Sequence, residues 1–442
     1  MTRTAEDFAA TLRFEDVPPP LLALLRRSFL DTMGVAATGS TTEMSRIARQ
    51  AAPVIFGGQA ARMLFDGGRA SAAGAAMAGA FTVDAIDAHD GTTPNKGHAG
   101  SAVWPAMLAM AEVLSPSAQE FATWMALAYE VSYRAGQAQH ATCEDYHTSG
   151  AWTAVGVAVA AARALGASRD QIRHAAGIGE YHGPRSQMMR CIDHPTMVRD
   201  GVGWGAPAGV SAAYLAKDGF TGAPALTCEE PGFWQDLGDR WLTLEHTHYK
   251  LYPCCRWAHP AMDAALALMV KHKLAHTDIA AIEIRTFHYA TRLAGHEPKT
   301  LDEFSYAIAF PVAAIVVRGQ IGPEELRPET LNDPDILRLS RATMLIDDPE
   351  LTARSVKQRW AQVTLVTYSG TRLEAPPSTP RGDADQPLSD AEIEAKYHRF
   401  ADPTLGAPRA AELRDLAQSF DALSPRDFKR LLDLCTAPIA SP

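Results

Sequence analysis

Two stretches limit what this chain can fold into. "SAAGAAMAGAFTV" (residues 71–83) and "AWTAVGVAVAAARALGAS" (151–168) carry small or apolar side chains around nearly the whole circumference of a helix. A helix with no polar face has nothing to show to water, so it must sit inside a large helical assembly rather than in a surface layer. Neither these nor any other stretch reaches the run of about 18 uninterrupted apolar residues that a bilayer span needs, so no segment is read as crossing a membrane.

The rest of the first part of the chain agrees. "PPLLALLRRSFLDTMGVAATG" (19–39) places Leu21, Leu22, Leu25, Phe29 and Met33 at helical intervals and closes on glycine. "SAVWPAMLAMAEVLSP", "QEFATWMALAYEVSYRAGQA", "RDQIRHAAGIGEYHG" and "WGAPAGVSAAYLAKDGF" also read as helices, the first with Ser101 as its cap and Pro105 near its first turn. After about residue 275 the character changes. "IAAIEIRTFHYA" alternates as a strand does, "EFSYAIAFPVAAIVVRGQIG" reads as one helix despite Pro311, and "WAQVTLVTYSGTRLEA" reads as a hairpin around Ser-Gly. Helices return with "DAEIEAKYHRFA", "APRAAELRDLAQSFDAL" and "PRDFKRLLDLCTA". The expected fold is mainly α. A large all-helical domain is formed by both chain ends (1–268 and 388–442), and a smaller α+β domain (269–387) is inserted into it. No internal repeat, dinucleotide fingerprint or P-loop is present.

Composition narrows function by exclusion. With 442 residues, 47% of them apolar, there is ample material for a large core, and a net charge of −10 argues against nucleic acid or an anionic membrane as partner. The N-terminal "MTRTAEDFAATLRFEDVPPP" has neither the basic flank nor the apolar run of a secretion signal. The six cysteines form no CxxC, which fits a reducing cytoplasm; the adjacent Cys254 and Cys255 are the pair to weigh as redox groups or ligands.

Polar residues concentrate in a few places. "DAIDAHDGTTPNKGHAGSAVWPAMLAMAE" packs Asp84, Asp87, His89, Asp90, Lys96 and His98 between two helical patterns. On a helix ending near Gly91 the three aspartates share a face, and the N–H groups of the next helix favour an anion. Acid/base chemistry on a bound carboxylate is one reading. A solvated loop with capping acids is another, and a Zn or Mn site on Asp87, His89, Asp90 and His98 a third, although HExxH spacing is absent. Elsewhere, His147 precedes a buried helix, Arg199 calls for a carboxylate that either Asp200 beside it or a ligand supplies, "HTHYKLYPCCRWAH" gathers His246, His248, Lys250, Cys255, Arg256 and His259, and Tyr306 follows Ser305 in an apolar helix.

Six segments in order resemble the MmgE/PrpD family, which includes 2-methylcitrate dehydratase, cis-aconitate decarboxylase and iminodisuccinate epimerase. They are "DTMGVAATGS", "DAIDAHD…GHAGSAVWPAMLAMAE", "YHTSGAWTAVGVAVAAARALG", "VGWGAPAGVSAAYLAKDGFTGAPALTCEEPGFW", "KLYPCCRWAHPAMDAA" and "FSYAIAFPVAAIVVRGQIG". The resemblance implies an all-α domain with an α+β lid, a homodimer, and cofactor-free chemistry on small di- or tricarboxylates, and no metal is expected. Asp87 matches the leading acid of the family's DFDD motif, His98 and His147 its histidines, Lys250 the lysine at the mouth of the lid, and Tyr306 the lid tyrosine. The chain departs from the pattern where His89 replaces an aspartate, Gly91 a hydroxyl residue, Arg199 a lysine and Cys255 a histidine used in decarboxylation; Lys96 is an addition.

The chemistry implied is proton transfer at a carbon next to a carboxylate, where cations must stabilise the enediolate. Asp87, His98 or His147 then supply base and acid, with Lys250 and Tyr306 beside them, and Lys96, Arg199, His89, Asp90, Arg256 and Cys255 contact substrate. A hydro-lyase acting on a citrate-like acid is the leading expectation. Epimerisation of a dicarboxylate is the alternative; a metal-dependent hydrolase and a non-catalytic carboxylate-binding protein are more distant ones.

Overall fold

The computed structural model describes residues 4–439 and is mainly helical. Helix starts follow ordinary capping. Ser71 accepts the Gly74 N–H at the head of Ala72–Asp84, and Ser117 and Glu120 form a capping box at the head of Ala118–Thr142. The all-apolar helices lie inside, as their composition requires: Ser149–Ala164 packs between Ala118–Thr142 and Val202–Lys217, and Ala72–Asp84 packs against Gly100–Leu114. Small residues set the spacing. A Cβ on Gly156 would stand 2.0 Å from Ser132 Oγ, so those two helices approach only because Gly156 has none.

Both chain ends enter this core. Buried Trp104 packs against Phe29, Phe121, Tyr129 and Phe420, and the helix Asp390–Leu405 runs along Pro19–Gly39. No helix among the described residues is long and apolar enough to cross a membrane.

A second apolar cluster spans residues from Tyr252 to Ala375 and borders the first through Val35, Ile86, Met188, Ile192 and Phe400. At its centre is a four-stranded sheet in the order Thr343–Asp347, Ile279–Thr286, Ala361–Thr367, Arg372–Glu374. The first pair is parallel and the others antiparallel. The hairpin at Ser369–Gly370 forms as its sequence indicates, with Gly370 at φ 83°. Thr343–Asp347 was not legible, because its faces do not alternate in burial. We propose on the strength of these clusters that residues 269–387 form the inserted unit, with the helix His259–His272 packing on its strand Ala361–Thr367.

One expected helix is two. Leu301–Ser305 ends, Tyr306 to Ile308 break the spiral, and Ala309–Arg318 begins anew with Pro311 in its first turn, where a missing N–H costs little. The break places Tyr306 against the helical part.

Candidate active site

The helix Ala72–Asp84 stops at Asp84, not near Gly91, so its three aspartates do not share a face. Asp87 adopts a left-handed φ of 49°, a conformation aspartate tolerates better than most residues. From that turn the acids diverge. Asp84 Oδ1 lies 2.9 Å from His89 Nε2, and His89 Nδ1 lies 3.2 Å from the Asp90 carbonyl. Burial opposes a charge on His89, but the Asp84 carboxylate outweighs it and raises the imidazole pKa. Asp90 accepts the Tyr129 hydroxyl at 2.6 Å and the Gly100 N–H at 3.0 Å. The helix start expected to hold a substrate anion is therefore satisfied by the chain's own Asp90.

Two buried lysines fix this turn. Lys250 Nζ donates to the Asp87 carbonyl at 2.9 Å and also to the Asp87 carboxylate. Lys396 Nζ, from the helix Asp390–Leu405, donates to the Ala88 carbonyl and to Asp31, each at 2.6 Å. A short antiparallel ladder pairs Gly91 with His248 and Thr92 with Thr247, which delivers Lys250 to Asp87. Gly91 is needed for that approach. A Cβ there would lie 2.6 Å from His248 Nε2 and 2.8 Å from His98 Nδ1. Gly91→Ala is expected to displace both rings and lower kcat/KM by about 10²-fold; unchanged steady-state kinetics would show that the rings need not hold these positions.

His98 is oriented from both sides. Its Nδ1 lies 2.8 Å from the Asp90 carbonyl and must donate to it, so Nε2 carries the lone pair. Its backbone N–H donates to Ser149 Oγ at 2.8 Å, and Ser149 in turn donates to Asp200 through both its N–H and its hydroxyl. Burial, then the charges of Lys250 and His89, hold the His98 pKa well below the usual imidazole value. Burial, with Asp84 and Asp87 nearby, pushes the Asp200 carboxyl up to about 7.

These groups meet at a cavity of about 40 Å³ lined by Asp87, Lys96, His98, Lys250, Cys255, Arg256 and Tyr306. Tyr146, Asp200, His248 and Arg359 complete its polar wall. Thr93, Lys96 and His248 also line a neighbouring recess of about 460 Å³. Burial pushes the Cys255 thiol up to about 12, so it stays protonated and cannot stand in for an imidazole. Cys254 rests on Met262, and all six cysteines are unpaired.

Four sequence candidates lie outside this lining. His89 and Asp90 sit behind the turn and orient it. His147 hydrogen-bonds the Asp145 carbonyl through Nδ1 at 2.8 Å. Arg199, also in a left-handed conformation (φ 47°), donates to the Ala85 carbonyl at 2.8 Å and pairs with Asp302 at 2.8 Å. Its carboxylate is thus Asp302, not the adjacent Asp200, whose side chain is held by Ser149. Arg359 gave no signal in the sequence: it is a single polar residue in a connecting segment, and only the fold shows where it lies; Tyr146 stood inside a segment that resembles the family but was not singled out.

Asp87, His89 and His98 do bring one possible ligand atom each within 4.8 Å of one another. Their existing bonds fit a metal poorly. The Asp87 carboxylate already holds the Lys250 ammonium, His89 Nε2 faces Asp84, and a buried ammonium in contact with a ligand opposes a dication.

The chain matches the MmgE/PrpD N-terminal domain over residues 3–241 and the MmgE/PrpD C-terminal domain over residues 252–422. Cis-aconitate decarboxylase of Aspergillus terreus is 22% identical over 98% of this chain and 96% of its own length. Human cis-aconitate decarboxylase is 22% identical over 90% of this chain and 87% of its own length. A cis-aconitate decarboxylase-like protein of Aspergillus oryzae, oryM, is 22% identical over 99% of this chain and 98% of its own length.

Proposed function

The chain belongs to the MmgE/PrpD family and is an enzyme of that type, and on that premise we propose that it is a hydro-lyase for a small, citrate-like di- or tricarboxylic acid. The observation that carries this reading is His98, held with Nε2 free as a base in the same cavity as Lys250 and Tyr306. His98 Nε2 takes the proton from the carbon next to a carboxylate. The C–H electron pair forms the double bond, the C–O bond to the β-hydroxyl breaks, and the departing oxygen takes a proton and leaves as water. The Lys250 ammonium and the Tyr306 phenol, whose pKa burial raises well above 10, are the proton donors at hand. Cations around the cavity stabilise the enediolate, and each step is assigned to a side chain without a cofactor.

The relatives' names support decarboxylation of cis-aconitate as a second reading. Against it stands the neutral Cys255 where the family's decarboxylases use a histidine. Epimerisation stays as the alternative on the same scaffold, since it starts with the same proton abstraction. The test is to incubate the protein with citrate, 2-methylcitrate, cis- and trans-aconitate and iminodisuccinate in deuterated water and follow the carbon and proton spectra. Dehydration supports the proposal; CO₂ release or inversion without loss of water replaces it with the corresponding rival, and absence of any exchange overturns enzyme action on these acids.

The cavity has room for about three waters, so Tyr146 and Lys96, which close it through the Tyr146 hydroxyl on the Lys96 carbonyl, must part for substrate to bind. The proposal includes a homodimer in the cytoplasm; the unpaired thiols support a reducing compartment. Exposed Ile47, Ile55, Val198 and Trp204 line an apolar groove of about 800 Å³ on the helical part, a surface that a second copy would cover. Val198→Glu with Trp204→Glu is expected to halve the mass seen by sedimentation; a parent protein that sediments as a monomer refutes the dimer.

A further inference from the structure

The cavity holds more cations than its acids neutralise. Lys250 is matched by Asp87, and Arg256 by Asp383 at 2.7 Å. Arg359 has no such partner. The residue is only 9% exposed and lines the cavity, yet among the described residues it forms no ion pair, since Asp383, whose charge favours its own, is held by Arg256. Nη1 donates to the Ser355 and Gln358 carbonyls at 3.1 and 3.0 Å, whereas Nε and Nη2 have no hydrogen-bond partner among the described residues. Phe287 lies under the guanidinium, 5.8 Å from ring centroid to Cζ. Arg359 is also near Lys96, whose pKa is lowered by burial and by the charge of Arg359. On the same wall, Arg256 Nε and His248 Nε2 are buried and have no hydrogen-bond partner among the described residues.

Arg359 is mostly withdrawn from water and no carboxylate pairs with it, so an arriving anion gains a charge-assisted partner without displacing an existing ion pair. The free edge of Arg359 presents two N–H groups in the fork that matches a carboxylate. The segment is rigid enough to hold that edge in place: Trp360 N–H donates to Ser355 Oγ, Arg354 stacks on the Trp360 ring at 3.6 Å, and Ala361 begins the central antiparallel strand.

We propose that Arg359, with Lys96 beside it, is the receptor for a second carboxylate of the substrate, away from the carbon that His98 deprotonates. Resting on the reading of the site as one for a small carboxylic acid, the assignment makes Arg359 the residue that selects acids with at least two carboxylates. It acts on binding and not on the chemical step.

The test uses propane-1,2,3-tricarboxylate, an unreactive tricarboxylate, and butyrate as the monocarboxylate, titrated calorimetrically into the full-length protein and into Arg359→Met and Arg359→Lys. Tricarboxylate affinity is expected to fall roughly 10- to 100-fold in Arg359→Met, the range for losing hydrogen bonds to a charged group. Arg359→Lys, which keeps the charge but not the fork, is expected to fall between, and butyrate is expected to bind all three proteins alike. In turnover of whichever acid reacts, KM rises and kcat holds. Equal tricarboxylate affinity in parent and variants overturns the assignment and leaves the site reading intact. A parent that binds no tricarboxylate overturns the site reading itself. Equal loss for tricarboxylate and butyrate assigns Arg359 a structural role and also refutes the proposal; if Arg359→Met does not fold, Arg359→Lys decides by the same comparison.

Discussion

Changing His98 to Asn is expected to lower kcat by about 10²–10⁴, the contribution of one general acid/base group, while the protein stays folded. The choice of Asn follows from the geometry. The His98 Nδ1–H reaches the Asp90 carbonyl at 2.8 Å, and an amide N–H at the same branch can make that bond. The orienting hydrogen bond from the His98 backbone to Ser149 is untouched. Only the Nε2 lone pair is lost. Near-wild-type turnover by the variant would remove His98 from the mechanism and pass the base to another group of the same cavity.

The pH dependence gives a second readout of the same group. Burial and the charge of Lys250 depress the His98 pKa in the free protein, so the ring is already neutral at pH 6.5. The acid limb of kcat/KM, which reports the free enzyme, is expected below 6.5. A bound polyanion favours the imidazolium and raises that pKa, so the limb in kcat should lie at higher pH than the limb in kcat/KM. Asp200 moves in the other direction as a stability effect. Its folded pKa near 7 exceeds the unfolded value of 3.8, so the native state binds the extra proton between those values. The stability it contributes is present below 3.8 and is lost as pH rises through about 7.

The helical character was legible because apolar, small-residue helices have only one place to go. The residues of the acidic stretch were legible as a group, but their roles were not. Periodicity put Asp84, Asp87 and Asp90 on one helical face, whereas the left-handed turn at Asp87 sends them to His89, Lys250 and Tyr129. Turn conformation of this kind is held by distant partners, here Lys250 and Lys396, which no local window contains. Arg199 shows the same limit: adjacency favoured Asp200, but consecutive residues do not face each other, and the partner lies far along the chain at Asp302. Arg359 had no motif at all. It matters because of what is missing around it, and a missing counter-charge is a property of the fold.

Replacing Lys250 with Met is expected to abolish measurable turnover and to destabilise the protein together, and separating the two effects tests what the lysine does. Lys250 is fully buried, and Asp87 is only 4% exposed. Removing one member of such a pair strands a charge and costs about 3–5 kcal/mol. Met fills most of the volume, so little of that loss is a cavity. Adding Asp87→Asn removes the stranded charge, and the double variant is expected to recover most of the lost melting temperature. Turnover is not expected to return, because the ammonium that would stabilise the enediolate and protonate the leaving oxygen is still absent. Recovery of both together would mean that Lys250 serves only to neutralise Asp87. Recovery of stability alone separates the two roles of one side chain: it holds the turn through the Asp87 carbonyl and carboxylate, and it lends its proton and charge to the reacting acid.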